Sequence, residues 1–288
     1  MIKKILSILV LTMSTAALAQ TPTAVPPTKV VIPFQPGGGV DSMFRIMQKY
    51  AEHQGLILVP DYRPGANGQI GIQHAINDRT PDNTLLLTII SDAATHADKI
   101  KPISAMAKNS VLVLASNGSK INNINQLSAG SYSWGYGSSP MEAVARGMAF
   151  SSPNSILVPF NGAGPTITAL VSNTIDIAVL PSTAALGLLN SKYTKVIAVY
   201  DDFKNAYPNL PKVEDHYKIN LLNDGFGLFA PAGAQPETIK FWEEFSQNFL
   251  NDYMVLAELK GRGMYSMQPN RAYLTQLVKN FSLVKIYE

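Results

Sequence analysis

Apolar runs of strand length alternate with amphipathic helical segments along nearly the whole chain. The run T-L-L-L-T-I-I at 84–90 is continuously apolar, as expected for a strand in a parallel sheet that is covered on both faces. The segment 41–53 instead places Phe44, Met47 and Tyr50 at helical spacing. Strands and helices that alternate in this way predict an α/β fold built on mostly parallel sheet.

The same pattern divides the chain into a series of predicted elements. Strands are expected at 29–34, 56–60, 84–90, 110–115, 132–136, 155–160, 175–180, 195–200 and 224–230. Helices are expected at 41–53, 69–77, 141–150, 166–172 and 236–250. A chain of 288 residues, of which 46% are hydrophobic and 15% charged, can bury a large core. This length suits one large domain or two α/β domains of ordinary size.

The first nineteen residues have the three parts of a secretory signal peptide. Lys3 and Lys4 precede an apolar segment at 5–13, which is too short to span a bilayer, and A-L-A follows at 17–19. We predict cleavage after Ala19 and export to the periplasm, with a buried N-terminal helix as the alternative. No later stretch is long and apolar enough for a membrane helix.

Composition excludes several classes of protein. The chain has no cysteine, so it has no disulfide, no cysteine-ligated zinc, no thiol nucleophile and no lipid-anchored mature N-terminus. The formal charge is +3, which becomes +1 when the signal lysines Lys3 and Lys4 are removed. Lysine and arginine do not cluster, so we expect no nucleic-acid partner.

Catalytic and metal-binding patterns are lacking. No G-x-S-x-G motif marks a nucleophile elbow. The four histidines, which are His53, His74, His96 and His216, do not have metal-ligand spacing. We therefore expect a protein that is not an enzyme, with no catalytic residues, no cofactor and no metal. A secreted α/β enzyme such as a hydrolase is the alternative.

A glycine loop lies between the first predicted strand and helix, in V-I-P-F-Q-P-G-G-G-V-D at 31–41. Backbone N–H groups at Gly37, Gly38 and Gly39, together with the helix dipole, favour an anion. The loop lacks the lysine of a P-loop and the glycine spacing of a dinucleotide site. Asp41 in the first helical turn disfavours phosphate, so a small carboxylate fits better. The loop alone is equally consistent with a tight turn that holds no ligand.

Two other glycine segments have different expected roles. R-P-G-A-N-G-Q-I-G at 63–71 predicts a turn that leads into a helix, with Gly71 allowing close packing. G-Y-G-S-S-P at 135–140 places Ser138 and Ser139 between a strand and a helix. These hydroxyls either bond a carboxylate or cap the helix, and the sequence does not distinguish the two.

The chain also contains a weak internal repeat. L-V-P-F-N-G-A-G-P at 157–165 has the same order of strand, Pro-Phe, polar residue and small-residue loop as V-I-P-F-Q-P-G-G-G at 31–39. Strand-to-helix turns share this composition, so chance is an alternative explanation. If the repeat is real, two α/β lobes each present a helix N-terminus to a common cleft.

Four motifs in order, spread over nearly the whole mature chain, resemble the substrate-binding proteins of tripartite tricarboxylate transporters, the Bug receptors. They are V-I-P-F-Q-P-G-G-G-V-D-S-M-F-R at 31–45, R-P-G-A-N-G-Q-I-G with T-P-D-N-T at 63–84, V-P-F-N-G-A-G-P with S-N-T-I-D at 158–176, and G-L-F-A-P-A-G-A-Q-P-E at 227–237. None of the motifs is specific alone, but their order is.

The resemblance implies a two-lobed periplasmic binding protein of type II-like fold, each lobe a mixed, mostly parallel sheet flanked by helices. Chain crossings near Ser116 and Asp224 would give a signal peptide at 1–19, a first lobe at 20–115 plus 225–288, and a second lobe at 116–224. A small carboxylate would lie in the cleft, held by backbone amides and hydroxyls rather than by lysine or arginine. The closed form would dock on an inner-membrane permease or signal to a sensor, and a monomer is the default expectation.

Matching the family's motifs position by position predicts the ligand-binding residues. They are Phe34, Pro36, Gly37, Gly38, Gly39, Asp41, Ser91, Ser138, Ser139, Gly162, Ala163, Gly164, Thr166 and Ser182. The sequence departs from the family pattern at Asn83 and Asn173, which replace glycines, and through most of 201–215. Ligand identity is therefore left open, and a degenerate relative that has lost binding is a further alternative.

Overall fold

The structure is a computed structural model that describes residues 26–200, 209–219 and 224–284. The predicted signal peptide and its cleavage site after Ala19 lie outside the described residues, as does much of the divergent segment 201–215.

Strands and helices alternate through the described chain, joined by loops and short 3-10 helices. The strands are β1 (Thr28–Ile32), β2 (Leu58–Tyr62), β3 (Thr84–Ile89), β4 (Ile100–Ala105), β5 (Ala107–Asn109), β6 (Val111–Ser116), β7 (Ser133–Tyr136), β8 (Ile156–Pro159), β9 (Ile177–Pro181), β10 (Thr194–Tyr200), β11 (Phe226–Pro231) and β12 (Met264–Ser266). The helices are α1 (Gly39–His53), α2 (Gln69–Ile76), α3 (Ile90–Ala93), α4 (Ser139–Ala149), α5 (Ala163–Val171), α6 (Ser182–Ala185), α7 (Pro236–Asn251), α8 (Tyr253–Gly261) and α9 (Arg271–Val284).

The first lobe is built on a five-stranded sheet in the order β2-β1-β3-β11-β4. Strands β2, β1 and β3 are parallel, and β11 runs antiparallel to both of its neighbours. One face of this sheet packs against α1, α7 and α8, where Phe44 and Phe249 are buried. The other face packs against α2, α3 and α9, where Ile72 and Leu274 are buried. Every residue of β3 is buried, as its continuous apolar run predicts.

The second lobe repeats this plan with the order β10-β6-β9-β7-β8. Strands β7, β8 and β9 are parallel, and β6 runs antiparallel to β9 and β10. Trp134 and Met148 are buried on the α4 face, and Leu170 on the α5 face. In both lobes four of the five strands run in one direction, so the predicted class of mixed, mostly parallel sheets flanked by helices is confirmed.

The chain changes lobes earlier than the sequence analysis placed the crossing. We expected it near Ser116, but β6 pairs with β9 and β10 in the second sheet, so the change falls between Asn109 and Val111. The apolar run of β6 suits either sheet, and only its pairing assigns it to the second lobe. Just before this point, β5 pairs with β12 in a small separate ladder. The return lies before Phe226, where β11 joins the first sheet.

Two expectations from the sequence concern positions where glycine is present or replaced. A Cβ at Gly71 would lie 2.7 Å from the Pro33 Cα and 2.8 Å from the Arg63 carbonyl oxygen, which confirms that Gly71 allows close packing. Asn173, which the family resemblance matches to a glycine, has a φ of 59°. Asparagine tolerates this left-handed conformation, and its Oδ1 accepts the Gly118 N–H at 2.9 Å, so this departure preserves the turn.

Candidate ligand-binding cleft

A cavity lies between the two lobes and is lined by residues from both. The first lobe contributes Phe34, Gln35, Gly38 and Gly39 from the loop between β1 and α1. The second lobe contributes two loops, with Gly137 and Ser138 between β7 and α4, and Gly162 and Ala163 between β8 and α5. The two halves of the internal repeat therefore face one space.

Three helices begin at this cavity. Their N-cap residues are Gly38 for α1, Ser138 for α4 and Gly162 for α5, and all three line the cavity. No side chain caps the first turn of any of the three. The first N–H groups of a helix have no partner within it, and the helix dipole makes that end positive. The cavity is therefore suited to an anion that accepts several N–H hydrogen bonds.

Asp41 holds the glycine loop in shape. Its side chain is 3% exposed, and it accepts hydrogen bonds from the Gly37 N–H at 2.8 Å, the Tyr62 hydroxyl at 2.6 Å and the Arg45 Nε at 3.0 Å. Gly37 has a φ of 90°, which favours glycine. Since the Gly37 N–H is bonded to Asp41, the N–H groups that remain for a ligand are those further into α1.

The same network shifts two pKa values. Burial alone would raise the pKa of Asp41, but the hydrogen bonds from Tyr62, Gly37 and Arg45 outweigh it and lower that pKa below its usual value. Burial, followed by the bond to Asp41, raises the pKa of Tyr62 to about 12. Asp41 is therefore ionised and acts as a positioning residue for the loop.

The two loops of the second lobe touch through their backbones. A Cβ at Gly137 would lie 2.4 Å from the carbonyl carbon and 2.6 Å from the carbonyl oxygen of Gly162. Gly162 itself has a φ of 104°, outside the range that side chains readily adopt. Glycine at both positions lets the N-termini of α4 and α5 approach each other beside the cavity.

Comparison with known proteins agrees with this architecture. The profile of the tripartite tricarboxylate transporter family receptor matches residues 43–283. The chain belongs to this receptor family. A relative from Pseudomonas sp. (strain P51), the UPF0065 protein in the tcbD-tcbE intergenic region, is 27% identical over 83% of this chain and 79% of its own.

Solved structures have the same fold as this receptor. MatC from Rhodopseudomonas palustris with bound malate is 19% identical, with a TM-score of 0.77 over 90% of this chain and 97% of its own. Rpa4515 of R. palustris with adipate is 18% identical, with a TM-score of 0.79 over 93% of this chain and 96% of its own.

The cavity of the receptor includes some of the predicted ligand-binding residues and excludes others. Those that line it are Phe34, Gly38, Gly39, Ser138, Gly162 and Ala163. Those outside the lining are Pro36, Gly37, Asp41, Ser91, Ser139, Gly164, Thr166 and Ser182. Of the two adjacent serines, Ser138 lines the cavity and Ser139 does not. The side chain of Ser138 does not cap α4.

Most hydroxyls outside the lining have other partners. Thr166 Oγ1 donates to the Gly162 carbonyl at 2.9 Å, and Ser182 Oγ donates to the Gly263 carbonyl at 2.7 Å. Ser139 Oγ donates to Asp92 of the first lobe, which makes it a contact between lobes. Ser91 Oγ is buried without a described partner, and its N–H donates to Asp224 Oδ1 at 3.2 Å. These contacts give Ser139, Thr166 and Ser182 structural roles in this conformation.

Several lining residues were not predicted from the sequence. Lys108, Asn109, Tyr200 and Asp224 lie on the cavity wall, next to the segments that change lobes. Lys108 departs from the expectation of a site without lysine or arginine. No local motif marks K-N-S at 108–110, and only the principle that crossing segments line the base of a cleft could have indicated it.

The described residues form neither a metal site nor a membrane-spanning helix. Among them, no three histidine, aspartate or glutamate side chains come together as a possible metal site. Nor does any helix there have the length and apolar character needed to cross a membrane.

The variant Asp41→Asn should lose about 2 kcal/mol of unfolding free energy at pH 7, because an amide replaces the carboxylate in three charge-assisted bonds. The pKa of Asp41 is lower in the folded than in the unfolded receptor, so its stabilisation is present above pH about 4 and disappears as the pH falls further. Urea unfolding at pH 7 and pH 3 should therefore show a difference between wild type and variant that shrinks in acid.

The exposed aspartate Asp98 provides the control, and Asp98→Asn should change stability little at either pH. An Asp41→Asn deficit that is equally large at pH 3 and pH 7 would contradict the role of the ionised carboxylate.

Proposed function

We propose that this receptor captures a small carboxylate in the periplasm and delivers it to an inner-membrane permease of the tripartite tricarboxylate type. The observation that carries the proposal is the convergence of the α1, α4 and α5 N-termini on one cavity between lobes. A carboxylate there would accept N–H hydrogen bonds from both lobes at once, so that binding favours the closed arrangement.

Family membership and the ligands of similar structures support the same class of ligand. MatC holds malate and Rpa4515 holds adipate, and both are carboxylates. The Ser138 hydroxyl, which lines the cavity without capping α4, supplies a further donor to such a group. Closure of the lobes removes water from these bonds and strengthens each of them.

Thermal unfolding of the chain from Gln20 onward, against a panel of mono-, di- and tricarboxylates, amino acids and nicotinate-like acids, tests the proposal. A ligand at a hundred times its Kd adds about 2.7 kcal/mol, which raises Tm by several degrees. We expect at least one acid to do so, with the acid recovered unchanged after incubation. If none of them shifts the Tm of the folded protein, the proposal is wrong in its ligand class.

A further inference from the structure

Between its polar loops and the polar residues Lys108, Asn109 and Asp224, the cavity wall is apolar. Six buried side chains of this kind line it, contributed by β3, β6, α4, β9 and β11. They are Ile89, Val111, Met141, Val179, Leu180 and Phe226. We infer, on the basis of the proposed carboxylate-binding function, that the receptor selects monocarboxylates with an apolar body, an alkyl chain or ring, over hydroxylated or multiply charged acids.

The apolar wall determines which ligand bodies fit. A methylene group that leaves water for such a wall gains free energy, whereas a hydroxyl or a second carboxylate loses its hydration and finds few partners there. Val111 and Val179 lie on neighbouring strands β6 and β9, so this part of the wall belongs to the second sheet. A body that matches it is an alkyl chain or a ring without polar substituents.

The charges around the cavity limit the ligand to one carboxylate. An internal carboxylate, Asp92 of the first lobe, already accepts the hydroxyl of Ser139 at the N-terminus of α4. Each of the three helix N-termini at the cavity is equivalent to roughly half a positive charge, and the Asp92 carboxylate beside α4 offsets part of that charge. The remainder matches about one negative charge on the ligand.

A second ligand carboxylate would lie near two charged side chains of opposite sign on the cavity wall. Lys108 and Asp224 both line the cavity, one of each sign. The Asp224 carboxylate accepts N–H bonds from Ser91 at 3.2 Å and Gly225 at 2.9 Å, which hold it at the wall. Because Asp224 offsets Lys108, a second ligand carboxylate finds no net positive charge there to compensate for its lost hydration.

Isothermal titration with acetate, butyrate, hexanoate, octanoate and phenylacetate, alongside adipate, malate and citrate, tests the inference. The Kd should fall about four-fold per methylene until the chain fills the cavity. Hexanoate should bind at least ten-fold more tightly than adipate, which has the same number of carbons. Tighter binding of adipate, malate or citrate than of hexanoate would overturn the inference and leave the proposed function standing. Binding of none of these acids would also overturn the inference, and the proposed function would then be decided by the wider panel described above.

A matched pair of variants separates the wall from general effects on folding. Val111 and Val113 lie on the same face of β6 and are both buried in the second lobe, but only Val111, which is 4% exposed, is among the lining residues. Val111→Thr should weaken hexanoate binding about five-fold, because the added hydroxyl is desolvated by the ligand. Val113→Thr should leave the Kd unchanged even where it costs stability. Equal Kd values for the two variants would contradict the role of the wall.

Discussion

Replacing Gly38 with leucine is expected to abolish carboxylate binding while the receptor stays folded. Gly38 has a φ of −84° and a ψ of −177°, which any residue adopts, and the nearest atom to a Cβ there is the Gln35 carbonyl oxygen at 3.7 Å. The new side chain therefore meets no backbone clash and extends beside the N-terminus of α1, where the cavity lies. We expect affinity to fall at least a hundred-fold, about 2.7 kcal/mol.

Gly164 provides the matched control for this variant. It is exposed on α5, lies outside the cavity lining, and would have no atom within 4 Å of an added Cβ. Gly164→Leu should bind as the wild type does, although family resemblance predicted Gly164 as a site residue. Titration of both variants with the best acid of the panel, with circular dichroism to verify folding, provides the comparison. If Gly38→Leu kept its affinity, the glycine loop would not be part of the binding site.

Replacing Gly137 with alanine should affect both stability and binding. Its Cβ would lie 2.4 Å from the Gly162 carbonyl carbon and 2.7 Å from the Gly162 Cα, and backbone atoms cannot rotate away as a side chain can. The loops that begin α4 and α5 must separate, which costs about 3 kcal/mol by analogy with overpacked cores. Because Gly137 and Gly162 both line the cavity, the same shift misplaces the N–H donors and should weaken binding at least ten-fold.

Urea unfolding and ligand titration of Gly137→Ala measure the two effects separately. Gly187→Ala is the control, because a Cβ there would meet nothing within 4 Å and Gly187 lies outside the cavity lining. Wild-type stability in Gly137→Ala would contradict the close backbone contact between Gly137 and Gly162. Lost stability with unchanged affinity would separate loop packing from the binding site.

Elements with strong local patterns were predicted within a few residues. The predicted helix at 236–250 corresponds to α7 (Pro236–Asn251), where Pro236 lies in the first turn, and the predicted strand at 84–90 corresponds to β3. Strand β4 was missed, because I-K-P-I-S-A contains a lysine and a proline and has no clear alternation. It becomes a strand by pairing with β11, which is more than 120 residues further along the chain.

The candidate site was predicted only in part, because some of its residues have a local sequence signal and others are brought there only by long-range contacts. The glycine loop and the second-lobe loops were recognisable, because glycine and serine between a strand and a helix are a local signal. The apolar wall was not, since Val111 and Val179 look like any core residue until the lobes are placed together. Lys108 and Asp224 carry no local motif at all.

The sequence by itself determined the alternation of strand and helix, and with it the α/β class and the loops at which helices begin. These features depend on side-chain periodicity and backbone preferences over a few neighbouring residues. Only the tertiary structure decided that β6 joins the second sheet, that Asp41 and Ser139 bond to the protein itself, and that three helix N-termini meet at one cavity. Those outcomes depend on pairing and packing between segments far apart in the chain, where many partners compete and no local pattern selects among them.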